Sequence, residues 1–167
     1  MTAAARTRNP SRTRVRSRTR TRSRTFPGRR TGVSDARHWL ECLLSRASDP
    51  PVPESTASTA ALLLSEAATN AVRHTASGSR PGGTFTVRVH IGGDALTVDV
   101  EDEGAATVPT LGTPGGDDES GRGLLLIDAF ADTWGVRPEG CGLSFTLARC
   151  PSPAPAIPPV PQAVMRP

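Results

Sequence analysis

The chain has 167 residues, which suits one small domain with tails and leaves no room for two ordinary domains. Hydrophobic residues make up 36% and aromatics 4%, with no Tyr, so the packed region must be smaller than the whole chain. The net charge of +4 averages two unlike pieces: residues 1–30 hold 11 Arg and no acid, and residues 31–167 hold 9 Arg against all 16 Asp and Glu.

Residues 6–25 read RTRNPSRTRVRSRTRTRSRT, where Arg alternates with Ser or Thr and only Val15 is apolar enough for a core. Composition of this kind predicts a disordered tail over residues 1–25, and its charge suits phosphates with steep salt dependence. No aromatic is interleaved for base stacking, which favours a solvated tail over a nucleic-acid binder. Ser34 is placed to cap a first helix whose apolar positions Ala36, Trp39, Leu40, Leu43 and Leu44 recur at three- and four-residue steps. Pro50, Pro51 and Pro53 stop it, and Ser55 or Thr56 opens a second, alanine-rich helix to about Ala76. After the breakers Gly78, Pro81 and Gly82-Gly83, TFTVRVHI alternates Phe85, Val87, Val89 and Ile91 with polar residues. Gly92-Gly93-Asp94 turns the chain into ALTVDVEDE, where Leu96, Val98 and Val100 share a face, so the two runs predict an antiparallel hairpin.

Residues 104–123 carry no period, and an aperiodic stretch that long in a small domain predicts a lid. Gly121-Arg122-Gly123 leads into LLLIDAFAD, a buried helix starting from a glycine-rich turn where phosphate can sit. Two last strands are expected near Thr133–Arg137 and Leu143–Arg149, joined by Pro138-Glu139-Gly140. Residues 150–167 are Pro-rich and read as an extended tail, which leaves 26–149 as the foldable part. The element order predicts an α+β, two-layer sandwich with helices on one face of a mainly antiparallel sheet. Cys42, Cys141 and Cys150 lack CxxC spacing, which excludes a disulfide scaffold and a cysteine zinc site and points to a reducing, cytoplasmic setting. No apolar run approaches the about 18 residues of a membrane span, so no membrane partner is expected.

Glu66 and Asn70 are four apart on the second helix, about 40° from each other around its axis, so they share a face. The opposite arc carries Leu64, Ala68, Ala71 and Val72, which turns the polar pair away from the sheet. A carboxylate beside a neutral amide oxygen is hard-ligand chemistry suited to Mg²⁺, and the carboxylate can accept a proton. Asp102 ends the second hairpin strand, with Gly104 two residues on. A buried Asp there can accept from an exocyclic amine, and the glycine lets a base approach the backbone. At Gly121-Arg122-Gly123, backbone N–H groups and the guanidinium can close on phosphates. His74, one turn beyond Asn70, is expected to pack or cap, and Trp39 and Trp134 sit in apolar surroundings that suit core positions. The lid acids Asp117, Asp118 and Glu119 would repel a triphosphate and are expected to face solvent.

In this order, E-x-x-x-N, D-x-G, a loop and G-x-G-L resemble the N, G1 and G2 boxes of the GHKL ATPase superfamily. The phrases LLLSEAATNAVRHT and ESGRGLLLIDAFADTWGV are similar to the histidine-kinase-like ATPase domains of anti-sigma-factor serine/threonine kinases of the actinomycete type, from near Phe26 to about Leu147. The resemblance implies a Bergerat-type site for ATP and Mg²⁺. Within it Glu66 is the general base, Asn70 coordinates the metal, Asp102 recognises adenine beside Gly104, and Gly121, Arg122 and Gly123 wrap the triphosphate. It also implies a partner pair, a sigma factor and an anti-sigma-factor antagonist that is phosphorylated on Ser or Thr, and it leaves a homodimer open.

The chain departs from that pattern in three places. Ala105-Ala106 follow Gly104 where a second glycine is common, Gly140-Cys141-Gly142 replaces a Gly-x-Thr context, and Ala67-Ala68 stand where larger residues usually pack. Three readings therefore stay open, in this order: a protein serine/threonine kinase; an ATP-dependent binding module that sequesters a sigma factor or other regulator without phosphoryl transfer; and a nucleic-acid binder acting through the Arg-rich tail.

Overall fold

The computed structural model describes residues 19–47, 51–104, 119–137 and 141–149. In chain order they form β1 (Arg20–Pro27), α1 (Arg30–Ser45), α2 (Glu54–His74), the short α3 (Ala76–Ser79), β2 (Thr84–Ile91), β3 (Ala95–Glu101), α4 (Glu119–Phe130), β4 (Thr133–Val136) and β5 (Leu143–Ala148). The strands make one antiparallel sheet in the order β1-β2-β3-β5-β4. The predicted two-layer α+β architecture is the one observed.

Period-two patterning sets the register. Val87, Val89 and Ile91 of β2 face Val100, Val98 and Leu96 of β3, which in turn face Leu143, Phe145 and Leu147 of β5, so every inward residue meets another inward residue. All nine are buried, and α1, α2 and α4 cover them with Ala36, Leu40, Leu63, Leu64, Ala68 and Ile127. Burying each such branched side chain stabilises the fold by about 1.5–3 kcal/mol. Trp39 packs edge-on against Phe26, ring centroids 5.8 Å apart, and Trp134 has its indole N–H on Asp128 Oδ1 at 2.8 Å; both are half-buried against the core, short of the core positions expected for them. No helix among the described residues is long and apolar enough to cross a membrane.

The opposite face of the sheet is polar. His90 bridges Thr21 Oγ1 at 2.9 Å and Asp99 Oδ2 at 3.1 Å, and Arg137 and Arg88 share Glu101 Oε1 at 3.0 and 3.3 Å. These pairs balance charge on the face that no described helix covers.

Four boundaries differ from expectation. The N-terminal tail does not run to residue 25: Arg20–Thr25 pair along β2, because the Arg side chains all stay exposed while Phe26, 3% exposed, anchors the strand in the core. α1 starts at Arg30, not at Ser34. Gly32 is buried one turn before Ala36 and extends the inward stripe upstream, and Arg29 at the N-cap makes no side-chain cap hydrogen bond. α2 starts after Pro53 and ends at His74. There Thr75 leaves helical geometry, donates to Ala71 O at 2.5 Å and accepts from Ser77 N–H at 3.1 Å, closing one helix and capping the next. Gly121–Gly123 lie inside α4 and not in a turn before it, so the stretch read as a lid to residue 123 ends by Glu119. The rest of that lid (105–118), including Asp117 and Asp118, the Pro138-Glu139-Gly140 turn, Pro50, Cys150 and both outer tails (1–18 and 151–167) lie outside the described residues.

Candidate functional site

α2 is two-faced along its whole length. Ala60, Ala61, Leu63, Leu64, Ala67, Ala68 and Ala71 are buried, which leaves Glu66 and Asn70 half-buried on a flank. α4 passes across that flank at Gly123. A Cβ on Gly123 would lie 2.9 Å from Glu66 Oε2, 3.6 Å from Glu66 Cβ and 3.7 Å from Asn70 Nδ2. The structure therefore brings Glu66, Asn70 and Gly123 together, and a side chain at position 123 would displace the Glu66 carboxylate while leaving the Asn70 amide at ordinary contact distance. Arg122, next along α4, is exposed, and Gly121 precedes it in the same helix.

Asp102 and Gly104 follow the end of β3 in a tight turn. Gly104 adopts φ +83°, a conformation that favours glycine, and its N–H donates to Asp102 Oδ1 at 2.8 Å. Burial pushes the Asp102 carboxyl up, and the Gly104 N–H partly offsets this. This turn is held against the end of α2. Ala76 N–H donates to Gly104 O at 2.9 Å, and Glu103 N–H donates to the buried Ser77 Oγ at 2.9 Å. The Glu103 side chain takes a two-pronged contact from Arg80, through Nε to Oε2 and through Nη2 to Oε1 at 2.6 Å, and also accepts from Thr84 N–H and Oγ1.

A cleft of about 590 Å³ is lined by Arg73, His74, Thr75, Ala76, Ser79, Glu103 and Gly104, so of the predicted site residues it takes in Gly104, while Glu66, Asn70, Asp102 and Gly123 are not among its lining. Arg73 and His74 stand three and four residues beyond Asn70, so the polar flank of α2 runs from Glu66 through Asn70 into the cleft, and the cleft reaches the Asp102–Gly104 turn. His74 is exposed and lines the cleft, where packing or capping was expected. Sequence reading also missed Arg73, although it extends the same helical face. It missed Cys141 as a neighbour of Gly104, whose Cβ would sit 3.4 Å from Cys141 Sγ. The Arg80–Glu103–Ser77 clamp left no local signal, since its members come from separate elements.

A carboxylate beside an amide oxygen on α2 is donor chemistry that fits a hard divalent cation, and the buried Gly123 lies over the pair without a side chain of its own. The clamp has a consequence for pH. The Glu103 carboxyl is pushed down to about 2, chiefly by the hydrogen bonds from Arg80, against partial desolvation and with help from the Thr84 N–H. A carboxyl with a depressed folded pKa stabilises fully above its ordinary value of 4.5, and that contribution is lost as pH falls toward about 2. Thermal melts of Glu103→Gln should therefore change less with pH across that window than those of the parent chain. An identical slope in both would remove the clamp as the cause.

Residues 26–147 match the family described as the histidine kinase-like ATPase domain. No curated protein matches the chain. Among solved structures, the fold is similar to the crystal structure of the RsbU and RsbW domains of Rv1364c from Mycobacterium tuberculosis. The TM-score is 0.54 at 16% identity, over 78% of this chain and 31% of that one. The chain thus spans about a third of that protein's resolved length, and the likeness is one of fold. With a match over the foldable part, a two-layer sheet-and-helix architecture and an acid–amide pair facing a glycine of α4, the chain belongs to the histidine kinase-like ATPase domain family.

Proposed function

We propose that this chain binds ATP with Mg²⁺ along the α2 flank and transfers the γ-phosphoryl group to a Ser or Thr hydroxyl of a small anti-sigma-factor antagonist, and so controls a sigma factor. The observation that carries the proposal is the meeting of Glu66, Asn70 and Gly123, with the Glu66 carboxylate 2.9 Å from where a side chain on Gly123 would begin. Family membership supports the nucleotide, and the resemblance in the N, G1 and G2 boxes supports the class of acceptor.

Each residue has a role that follows from its chemistry. The Asn70 amide oxygen would hold Mg²⁺ without adding negative charge beside a triphosphate. Bound there, Mg²⁺ would screen the phosphate oxygens as charge shifts toward the leaving diphosphate. Glu66, half-buried and four residues away, takes the proton of the attacking hydroxyl. Asp102 accepts from the adenine amine while Gly104 lets the ring lie against the backbone. Arg122, Gly121 and Gly123 serve the phosphates from α4, and the Arg73 guanidinium lends positive charge to the cleft that it lines with His74.

The test is incubation of the chain with γ-labelled ATP, Mg²⁺ and candidate antagonist proteins. Label on an antagonist Ser or Thr supports the kinase. Nucleotide binding without labelling of any acceptor supports the sequestering module instead. A second measurement isolates the base pocket. In Asp102→Asn the amide oxygen can still accept from Gly104 N–H, but its NH₂ then meets the adenine amine donor to donor. Loss of a hydrogen bond to a charged acceptor costs about 1.5–3 kcal/mol, so calorimetry should show ATP binding roughly 10- to 150-fold weaker. Unchanged affinity would remove Asp102 from adenine recognition.

A further inference from the structure

β1 carries its charge on one side only. Arg20, Arg22 and Arg24 stand opposite Ile91, Val89 and Val87, so they project from the helix-bearing face of the sheet, while Thr21, Ser23 and Thr25 share the open face with His90, Arg88 and Thr86. All three arginines are exposed on a terminal strand of the sheet. Among the described residues no carboxylate pairs with any of them. Two are braced: the Arg24 guanidinium sits 5.4 Å from the Phe26 ring centroid, and Arg22 Nη1 donates to Thr21 O at 3.0 Å. In the sequence, Arg occupies every even position from Arg12 to Arg24, so the alternation that defines this row continues upstream in the same phase.

We infer that the β1 arginine row is a docking edge for double-stranded nucleic acid, read through its phosphates and without regard to sequence. Alternate residues of a strand are about 6.6–6.8 Å apart. A duplex strand carries one phosphate per about 3.4 Å of axis, dense enough for each arginine of the row to meet a separate phosphate. Guanidinium forks suit phosphate oxygens better than a point charge does. The residues between them are Thr and Ser, with no aromatic to stack on unpaired bases, which favours a duplex over a single strand. They also lack the apolar side chains that a membrane-surface segment buries, which favours nucleic acid over lipid. Residues 31–167 hold 9 Arg against 16 Asp and Glu, so attraction for a polyanion is confined to the N-terminal end. The row lies two strands away from β3 and the Asp102 turn, so it stands independently of the nucleotide site.

The test uses the full chain and a short labelled DNA duplex of mixed sequence, with binding followed by anisotropy over a series of salt concentrations. The parent chain should bind this duplex and a scrambled one equally. Replacing the row by Arg20→Gln, Arg22→Gln and Arg24→Gln should lower the slope of log affinity against log salt by about 3, close to one per lost phosphate contact. A second variant exchanges each arginine with its neighbour: Arg20→Thr, Thr21→Arg, Arg22→Ser, Ser23→Arg, Arg24→Thr and Thr25→Arg. It keeps the composition but moves the charge to the open face, and it should lose as much as the glutamine variant. Thermal melts of both variants, matched to the parent, separate loss of the row from loss of the fold. The inference is overturned if a folded exchange variant binds as the parent does, if no duplex binds at low salt, or if phosphatidylserine vesicles bind while the duplex does not.

Discussion

Glu66→Gln is expected to lower phosphoryl transfer by about 10²–10⁴-fold while leaving ATP affinity within a few-fold of the parent. The substitution preserves shape and hydrogen-bonding reach on a half-buried helix flank, so the surroundings of Asn70 and Gly123 are retained. What disappears is the capacity to take a proton from the attacking hydroxyl. A rate defect without a binding defect is the signature of an interaction made only in the transition state. Gly123→Ala approaches the same result by another route. Its Cβ would arrive 2.9 Å from Glu66 Oε2, and since that atom ends a flexible side chain, the carboxylate swings aside while the fold survives. Single-turnover transfer measured beside calorimetric ATP binding checks both variants. Equal loss of binding and rate in Glu66→Gln would assign Glu66 to ground-state binding instead.

Gly142→Ala is expected to unfold the domain or lower its stability by more than about 4 kcal/mol, among the largest effects a single substitution produces. Gly142 has φ +114°, and a Cβ there would fall 2.0 Å from Val100 O and 2.9 Å from Glu101 Cα. These atoms belong to the backbone of β3, paired on both sides, and they cannot rotate away as a side-chain tip can. Relief of the clash would separate β5 from β3 where Val100 pairs with Leu143. The expected result is a chain without a cooperative melt, or one whose midpoint falls by tens of degrees, read by circular dichroism. A midpoint within a few degrees of the parent would contradict the close approach. Gly142 stands next to Cys141, which borders Gly104, so the same crossing brings the start of β5 to the Asp102 turn.

The β2–β3 hairpin was legible because strict apolar alternation brackets a Gly-Gly-Asp turn, and the register follows from that pattern. The polar pair of α2 was legible for a similar reason: four-residue spacing places Glu66 and Asn70 together whatever the tertiary context. β1 was not. Its Arg-Thr alternation has the period of a strand but no apolar face, so composition pointed to disorder. What makes it a strand is the partner edge of β2 and the single anchor Phe26, stacked on Phe85 at 5.7 Å. The start of α1 was hidden because glycine reads as a helix breaker, yet Gly32 is buried within the helix. Ser77, Arg80, Thr84 and Glu103 converge only once β3 returns beside α3, and no local pattern announces a contact between elements so far apart.

The inward side of α2 is built largely from methyl groups, with Ala60, Ala61, Ala67, Ala68 and Ala71 each at most 3% exposed. Methyl groups let a helix lie closer to its sheet than leucines would, so the length of these side chains bears on how high Glu66 and Asn70 ride above the strands. The alanines that looked like missing bulk therefore act as a gauge of depth, and evolution at these positions would retune the height of the acid–amide pair as surely as a change in the pair itself.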